Sequence, residues 1–114
     1  MAKRDRHELI SHLKILIAHL LKWEYQLPQL TDRWNSWQGG SWQATIIEQR
    51  DQIVSQLELS PSLKNELAQA VEKAYPSAAK IAAKETQLAK STFPPTCPYT
   101  LEQLLNEDFY PKID

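Results

Sequence analysis

The chain has 114 residues and a formal net charge of −1, with 42% hydrophobic and 24% charged residues, which predicts one globular domain over residues 1–114. The near-neutral balance argues against nucleic-acid binding, which relies on many Lys and Arg contacts to phosphate. The single cysteine, Cys97, excludes an internal disulfide framework, and no segment approaches the ~20 apolar residues of a membrane span. We therefore expect a cytoplasmic domain without nucleic-acid or membrane partners.

Apolar spacing predicts a first helix from Arg4 to about Trp23 with a broad apolar side. Ile15, His12 and His19 lie at the margin of that side, so either this is the central helix or its margin contacts a second chain. The two histidines lie about 10 Å apart along the helix, too far to share one metal ion. The polar side is expected to hold Ser11, Lys14, Ala18 and Lys22.

A loop is predicted for residues 28–40, because Pro28 should end the first helix and two glycines close the segment. The loop contains Trp34 and Trp37, and large rings seldom remain fully in solvent. Tryptophan is a normal core residue but is also enriched at interface hot spots. Of the four tryptophans, these two are the better candidates for partner contact.

The second helix is predicted from Ser41, as N-cap, to about Leu57. Arg50 lies in the middle of its apolar face, where an unpaired buried charge costs several kcal/mol. Arg50 therefore needs a partner, either a carboxylate or a bound anion. The apolar face should comprise Trp42, Ile46, Ile47, Ile53, Val54 and Leu57.

The third helix is predicted to start at Ser60-Pro61 and to run to about residue 90, with a bend at Pro76. The apolar spacing continues in phase beyond Pro76, which favours one bent helix over two. Glu85 lies within the continued apolar face. We expect a structural ion pair between Arg50 and Glu85, with Asp108 or another carboxylate as the alternative partner.

The C-terminal segment opens with Phe93-Pro94-Pro95, which predicts extended backbone. Thr100 and Gln103 have the form of a capping box, which predicts a short helix around 101–106. The predicted fold is all-α: a small bundle of three main helices, the third long and bent near Pro76, plus a short C-terminal helix.

Four segments carry a family resemblance: AHLLKWEYQ at 18–26, SWQATIIEQR at 41–50, SPSL at 60–63 and CPYTLEQLLNEDFYP at 97–111. In this order and spacing they resemble the mainly cyanobacterial domain of unknown function family twenty-nine, over about residues 3–111. The resemblance implies an all-helical fold and a prokaryotic source, and it brings no activity, cofactor or site residue.

Three departures from the family pattern stand out. Relatives usually carry a few dozen further residues before the segment AKRDRHELISHLK, and the first helix is expected to lack that cover here. A second copy, or another protein, would then contact Ile15 and the two histidines. Gln87 stands where relatives often have glycine, and Pro76 interrupts a helix that usually lacks proline.

No nucleophile with a base, carboxylate pair or metal set stands out, so no catalytic residue, cofactor or metal is assigned and no enzyme is expected. Cys97 has no neighbouring cation to lower its pKa and should have a packing role.

We expect a protein-interaction or small regulatory module with an apolar, Trp-containing surface, either homo-oligomeric or bound to another protein. The alternatives are an uncharacterised enzyme, or a binder of a small anion or nucleic-acid phosphate through Arg50 or the basic N-terminus, Lys3 to His7. A pocket holding Arg50 without Glu85 would favour the anion, and a contiguous basic patch would favour nucleic acid.

Overall fold

A computed structural model describes residues 2–25 and 32–111, with side chains described for 4–25 and 41–111. These residues form four α-helices and two 3₁₀ helices, and they contain no strand, which confirms the all-α prediction. The α-helices are α1 (Ala2–Tyr25), α2 (Asp32–Leu59), α3 (Leu67–Thr86) and α4 (Leu101–Leu105). The 3₁₀ helices span Pro61–Glu66 and Lys90–Thr92.

Helix α1 is the central helix of the bundle. It packs against both α2 and α3, while these two make far less contact with each other. Ala18 and Lys22 are only 1% and 6% exposed, so their assignment to a polar side was wrong. Two neighbouring helices cover α1 on more sides than one apolar stripe indicates. Its fully buried side chains are Leu9, Leu13, Leu16, Ile17, Leu20 and Leu21.

Helix α2 begins at Asp32, so the predicted loop is wrong for residues 32–40, and residues 28–31 lie outside the described part of the chain. Ser41 lies inside the helix rather than capping it. Each glycine inside a helix costs about 1 kcal/mol relative to alanine, so the Gly39-Gly40 pair weakens a helix without forbidding it. Trp34 and Trp37 are on this helix, and their side chains fall outside the description.

Helix α3 continues through Pro76, as predicted, and ends at Thr86, earlier than expected. Pro76 is exposed, so its ring and missing N–H affect the outward side of the helix. The helix is preceded by 3₁₀ geometry, and Ser60 makes no side-chain capping bond. Gln87, which follows Thr86, has φ 62° and ψ 21°, the left-handed region that favours glycine.

The C-terminal segment returns to the bundle and packs against α1 and α3. The Tyr75 hydroxyl donates to the Pro94 carbonyl at 2.6 Å, and the Tyr99 hydroxyl donates to Oε1 of Glu24 at 2.8 Å. The capping box of α4 is present as predicted. The backbone N–H of Gln103 donates to Oγ1 of Thr100 at 3.0 Å, and the Thr100 N–H donates to Oε1 of Gln103 at 2.9 Å.

Candidate protein-binding site

Arg50 attaches the C-terminal helix to α2. Its Nε donates to the Leu104 carbonyl at 2.8 Å, and its Nη2 donates to the Gln103 carbonyl at 3.1 Å. Both carbonyls belong to the last turn of α4, where helical carbonyls lack intrahelical donors and carry partial negative charge. The predicted pair with Glu85 is therefore wrong, because carbonyl dipoles take the place of a carboxylate.

Aromatic rings complete the environment of this guanidinium. The Cζ of Arg50 lies 5.9 Å from the ring centroid of Phe109 and 5.7 Å from that of Tyr110, within cation–π range. Arg50 is 3% exposed, and its Nη1 is buried without a hydrogen-bond partner in the described part of the chain. Removal from water lowers the pKa of the guanidinium. The side chain thus serves to position α4 and the residues that follow it.

Glu85 pairs with Lys22 instead of Arg50. Its Oε1 lies 2.6 Å from Nζ of Lys22, which also lies 5.3 Å from the ring centroid of Trp42. The Lys22 side chain is 8% exposed and that of Glu85 is 54% exposed, so the pair lies at the edge of the core. The apolar spacing of the first helix had placed Lys22 on its polar side. For that reason Lys22 was not considered as a partner of Glu85.

The predicted contact residues of α1 are partly covered by the bundle itself. Ile15, His12 and His19 are all half-buried. His12 Nδ1 donates to the side-chain oxygen of Gln49 at 2.7 Å, and His19 Nδ1 donates to the Ile15 carbonyl at 2.9 Å. Burial lowers the pKa of His19. Helix α2 therefore covers part of this margin, and its contact with a partner stays a prediction.

The remaining candidates from the sequence are the other two tryptophans and the basic N-terminus. Trp42 is 7% exposed, and the ring of Trp23 lies 5.0 Å from that of Tyr110, so these two tryptophans fill space inside the fold. At the basic N-terminus, Arg6 pairs with Glu66 of the first 3₁₀ helix, while Arg4 and His7 are exposed. The N-terminal basic residues are therefore divided between an internal pair and solvent.

A groove of about 450 Å³ opens between α2 and the C-terminal segment, and we call it the α2–α4 groove. Sequence reading missed it, because it placed Ile47 in the core, whereas Ile47 is 55% exposed. Ile47 lies about 100° around the helix from the fully buried Ile46, which puts it at the flank of the core face. The groove is lined by Ile47, Val54, Leu105, Glu48, Asp51, Glu107 and Arg50.

The charge of the α2–α4 groove is negative. Glu48, Asp51 and Glu107 are exposed, and no ion pair among the described residues involves any of the three. Arg50 contributes one positive charge, but its donors face backbone carbonyls and a buried volume. Three carboxylates against one guanidinium leave about two negative charges around an apolar floor. Such a surface is complementary to a ligand that is both apolar and cationic.

A second cleft, of about 500 Å³, lies between α3 and residues 95–101. Burial and the nearby Cys97 raise the pKa of Tyr75 to about 12, and burial also raises the pKa of the Cys97 thiol. A nucleophilic cysteine requires the opposite shift. This environment gives Cys97 a packing role beside Tyr75 and Tyr99 rather than a reactive one.

Comparisons with known proteins add a family but no activity. The described helices define a small all-helical domain in which a groove, rather than a cluster of reactive groups, is the conspicuous surface feature. The chain belongs to the family Domain of unknown function DUF29, which matches residues 1–110. No curated protein and no solved structure matches the chain.

The described residues contain neither a cluster of metal ligands nor a membrane-spanning helix. Within residues 2–25 and 32–111, no three His, Cys, Asp or Glu side chains are grouped as metal ligands would be. No helix in this part of the chain is both long and apolar enough to cross a bilayer.

Proposed function

We propose that the chain is a non-enzymatic protein-interaction module whose α2–α4 groove binds a basic, amphipathic segment of a protein partner. The observation that carries the proposal is the exposed Ile47 beside three carboxylates that form no ion pair with any described residue. An apolar side chain next to unpaired charge of one sign favours a ligand that offers both apolar surface and the opposite charge.

Arg50 has an indirect role in this proposal. By holding the last turn of α4, it fixes one wall of the groove, to which Leu105 and Glu107 belong. A small anion is the competing ligand, since the groove includes Arg50 without Glu85. Three carboxylates in the same groove oppose an anion, and two of the three guanidinium nitrogens already donate to carbonyls. The charge balance therefore favours the cationic ligand.

The proposal is tested with a fluorescently labelled helical peptide of leucine and lysine, and with a matched peptide in which glutamate replaces lysine. We expect fluorescence anisotropy to show saturable binding of the lysine peptide only, weakening as salt rises because the rim charges are screened. Equal binding of both peptides, or tighter binding of the glutamate peptide, would contradict the proposal.

Two substitutions localise the binding. Ile47→Ser should weaken binding of the lysine peptide about five- to tenfold, because it removes roughly 1 kcal/mol of apolar contact. Leu59→Ser is the matched control, since Leu59 is 85% exposed at the end of the same helix and does not line the groove. Equal losses for the two variants would refute the assignment to the α2–α4 groove.

Inorganic phosphate tests the competing proposal that the groove binds a small anion. If the groove binds a cationic ligand, millimolar phosphate should change the Tm of the protein no more than chloride does at the same ionic strength. A phosphate-specific rise in Tm that Arg50→Lys abolishes would instead assign the groove to an anion.

We also propose the cytoplasm as the compartment of the chain, consistent with its free, half-buried thiol at Cys97.

A further inference from the structure

Helix α3 carries a row of lysines on its outward side, which we call the lysine face: Lys73, Lys80 and Lys84. At 100° per residue, the three side chains fall within about 40° of one another, and Ser77 lies in the same row. Buried residues of α3 such as Val71 and Ala82 lie on the opposite side. At 1.5 Å per residue the row extends over about 16 Å.

The charge of the lysine face is not neutralised by an ion pair with any described residue. Lys73, Lys80 and Lys84 are exposed, and no ion pair of the described residues involves them. Among the residues that the structure describes, the carboxylates of the α2–α4 groove form no ion pair either. The chain therefore carries a negative surface on α2 and a positive surface on α3, although its net charge is only −1.

We propose that the α2–α4 groove of one copy binds the lysine face of a second copy. This inference rests on the proposed function and names the partner. The lysine face offers what the groove requires, since each lysine combines a cationic end with an aliphatic stem that can cover Ile47. Lys80 and Lys84 are separated by about 6 Å along their helix, and Glu48 and Asp51 by about 4.5 Å, so two ion pairs can form side by side.

A nucleic acid is the other polyanion that a lysine row can contact. The near-neutral net charge opposes it, because a nucleic-acid surface normally accompanies an excess of basic residues. Segregated charges at a net charge near zero instead promote association between copies.

Contact between two different surfaces of the same chain can repeat head to tail, which produces rings or open chains of copies. The groove is small, so each contact is weak, and assembly should depend on concentration and on salt. We expect sedimentation velocity to show the average mass rising with concentration at 50 mM salt. The apparent association constant should fall at least tenfold at 500 mM salt.

Charge reversal tests the two surfaces separately. Glu48→Lys with Asp51→Lys reverses the groove, and Lys80→Glu with Lys84→Glu reverses the lysine face. Each double variant alone should sediment as a monomer, because both of its surfaces then have the same sign. An equimolar mixture of the two double variants should assemble again, since each supplies the surface that complements the other. Lys64→Glu with Lys90→Glu is the control for net charge, and it should assemble more than the reversed lysine face does.

The outcomes discriminate between the two proposals. A wild-type chain that stays monomeric at 50 mM salt, or a mixture that fails to reassemble, overturns the second-copy partner. The Lys80→Glu, Lys84→Glu variant keeps the groove intact and should still bind the leucine–lysine peptide, so that measurement tests the proposed function independently. A monomeric wild type that binds duplex DNA through the lysine face would assign that face to nucleic acid and overturn the inference.

Discussion

Replacing Gln87 with glycine should stabilise the fold. Gln87 has φ 62° and ψ 21°, and it is the only non-glycine residue in the described part of the chain with a positive φ. A residue with a Cβ atom pays roughly 1–2 kcal/mol in this region, because Cβ approaches the following carbonyl oxygen. Glycine removes that cost. The Gln87 side chain is exposed, so its removal loses little packing.

The expected gain is smaller than the strain that is removed. Glycine has more freedom than glutamine in the unfolded chain, which offsets about 0.4–1 kcal/mol. The net increase in the free energy of unfolding should be about 0.5–1 kcal/mol. For a domain of this size, that corresponds to a rise in Tm of roughly 2–6 °C.

Chemical and thermal unfolding, followed by circular dichroism at 222 nm, measure this increase. Gln69→Gly is the matched control, since Gln69 is exposed within α3 and has ordinary helical geometry. That control should lose roughly 0.5 kcal/mol, because glycine is a poorer helix former than glutamine. Destabilisation by Gln87→Gly comparable to that of the control would refute the left-handed geometry at residue 87.

Five further substitutions test the interior contacts. Arg50→Met should lower the free energy of unfolding by about 2–4 kcal/mol in urea titrations, because two α4 carbonyls lose a charged donor; a loss under 0.5 kcal/mol would contradict this role. Glu85→Gln should lower the free energy of unfolding by about 0.5–1 kcal/mol, a modest loss because Glu85 is half-exposed. The double variant Lys22→Met with Glu85→Gln should recover part of that loss, because it no longer leaves a buried ammonium without its partner. The pKa of Tyr75 is raised from 10 to about 12, so its contribution to stability is full below pH 10 and disappears as the pH rises towards 12. Tyr75→Phe should therefore lose less stability than wild type between pH 10 and 12. The pKa of His19 is lowered, so the unfolded chain takes up the proton first and stability falls as pH drops below 6.5; His19→Gln should flatten that dependence in urea titrations at pH 5 and 7.5.

Local sequence signals were sufficient for most helices. The capping box at Thr100 and the in-phase apolar spacing through Pro76 predicted two elements correctly, because both signals depend only on neighbouring residues. The Gly39-Gly40 pair led to the wrong loop prediction because it, too, is a signal that depends only on neighbouring residues. Its cost to a helix is local, while contacts elsewhere along α2 decide whether the helix extends to Asp32.

The candidate site could not be predicted from the sequence. A helical wheel shows that Arg50 and Glu85 both lie near apolar faces, but not which faces meet. The actual acceptor of Arg50, the Leu104 carbonyl, is a backbone atom 54 positions away, and backbone acceptors leave no mark on side-chain patterns. Predicting the groove likewise requires knowing which distant elements meet, since the groove combines the flank of α2 with Leu105 and Glu107.

The central position of α1 has a consequence for synthesis on the ribosome. Helix α1 is synthesised before the two helices that pack against it, and the Lys22–Glu85 contact joins residues 63 positions apart. A nascent chain therefore carries the leucine-rich surface of α1 uncovered until α3 has left the exit tunnel. Distant pairing of this kind slows folding, and exposed apolar surface attracts chaperones or other nascent chains in the interval.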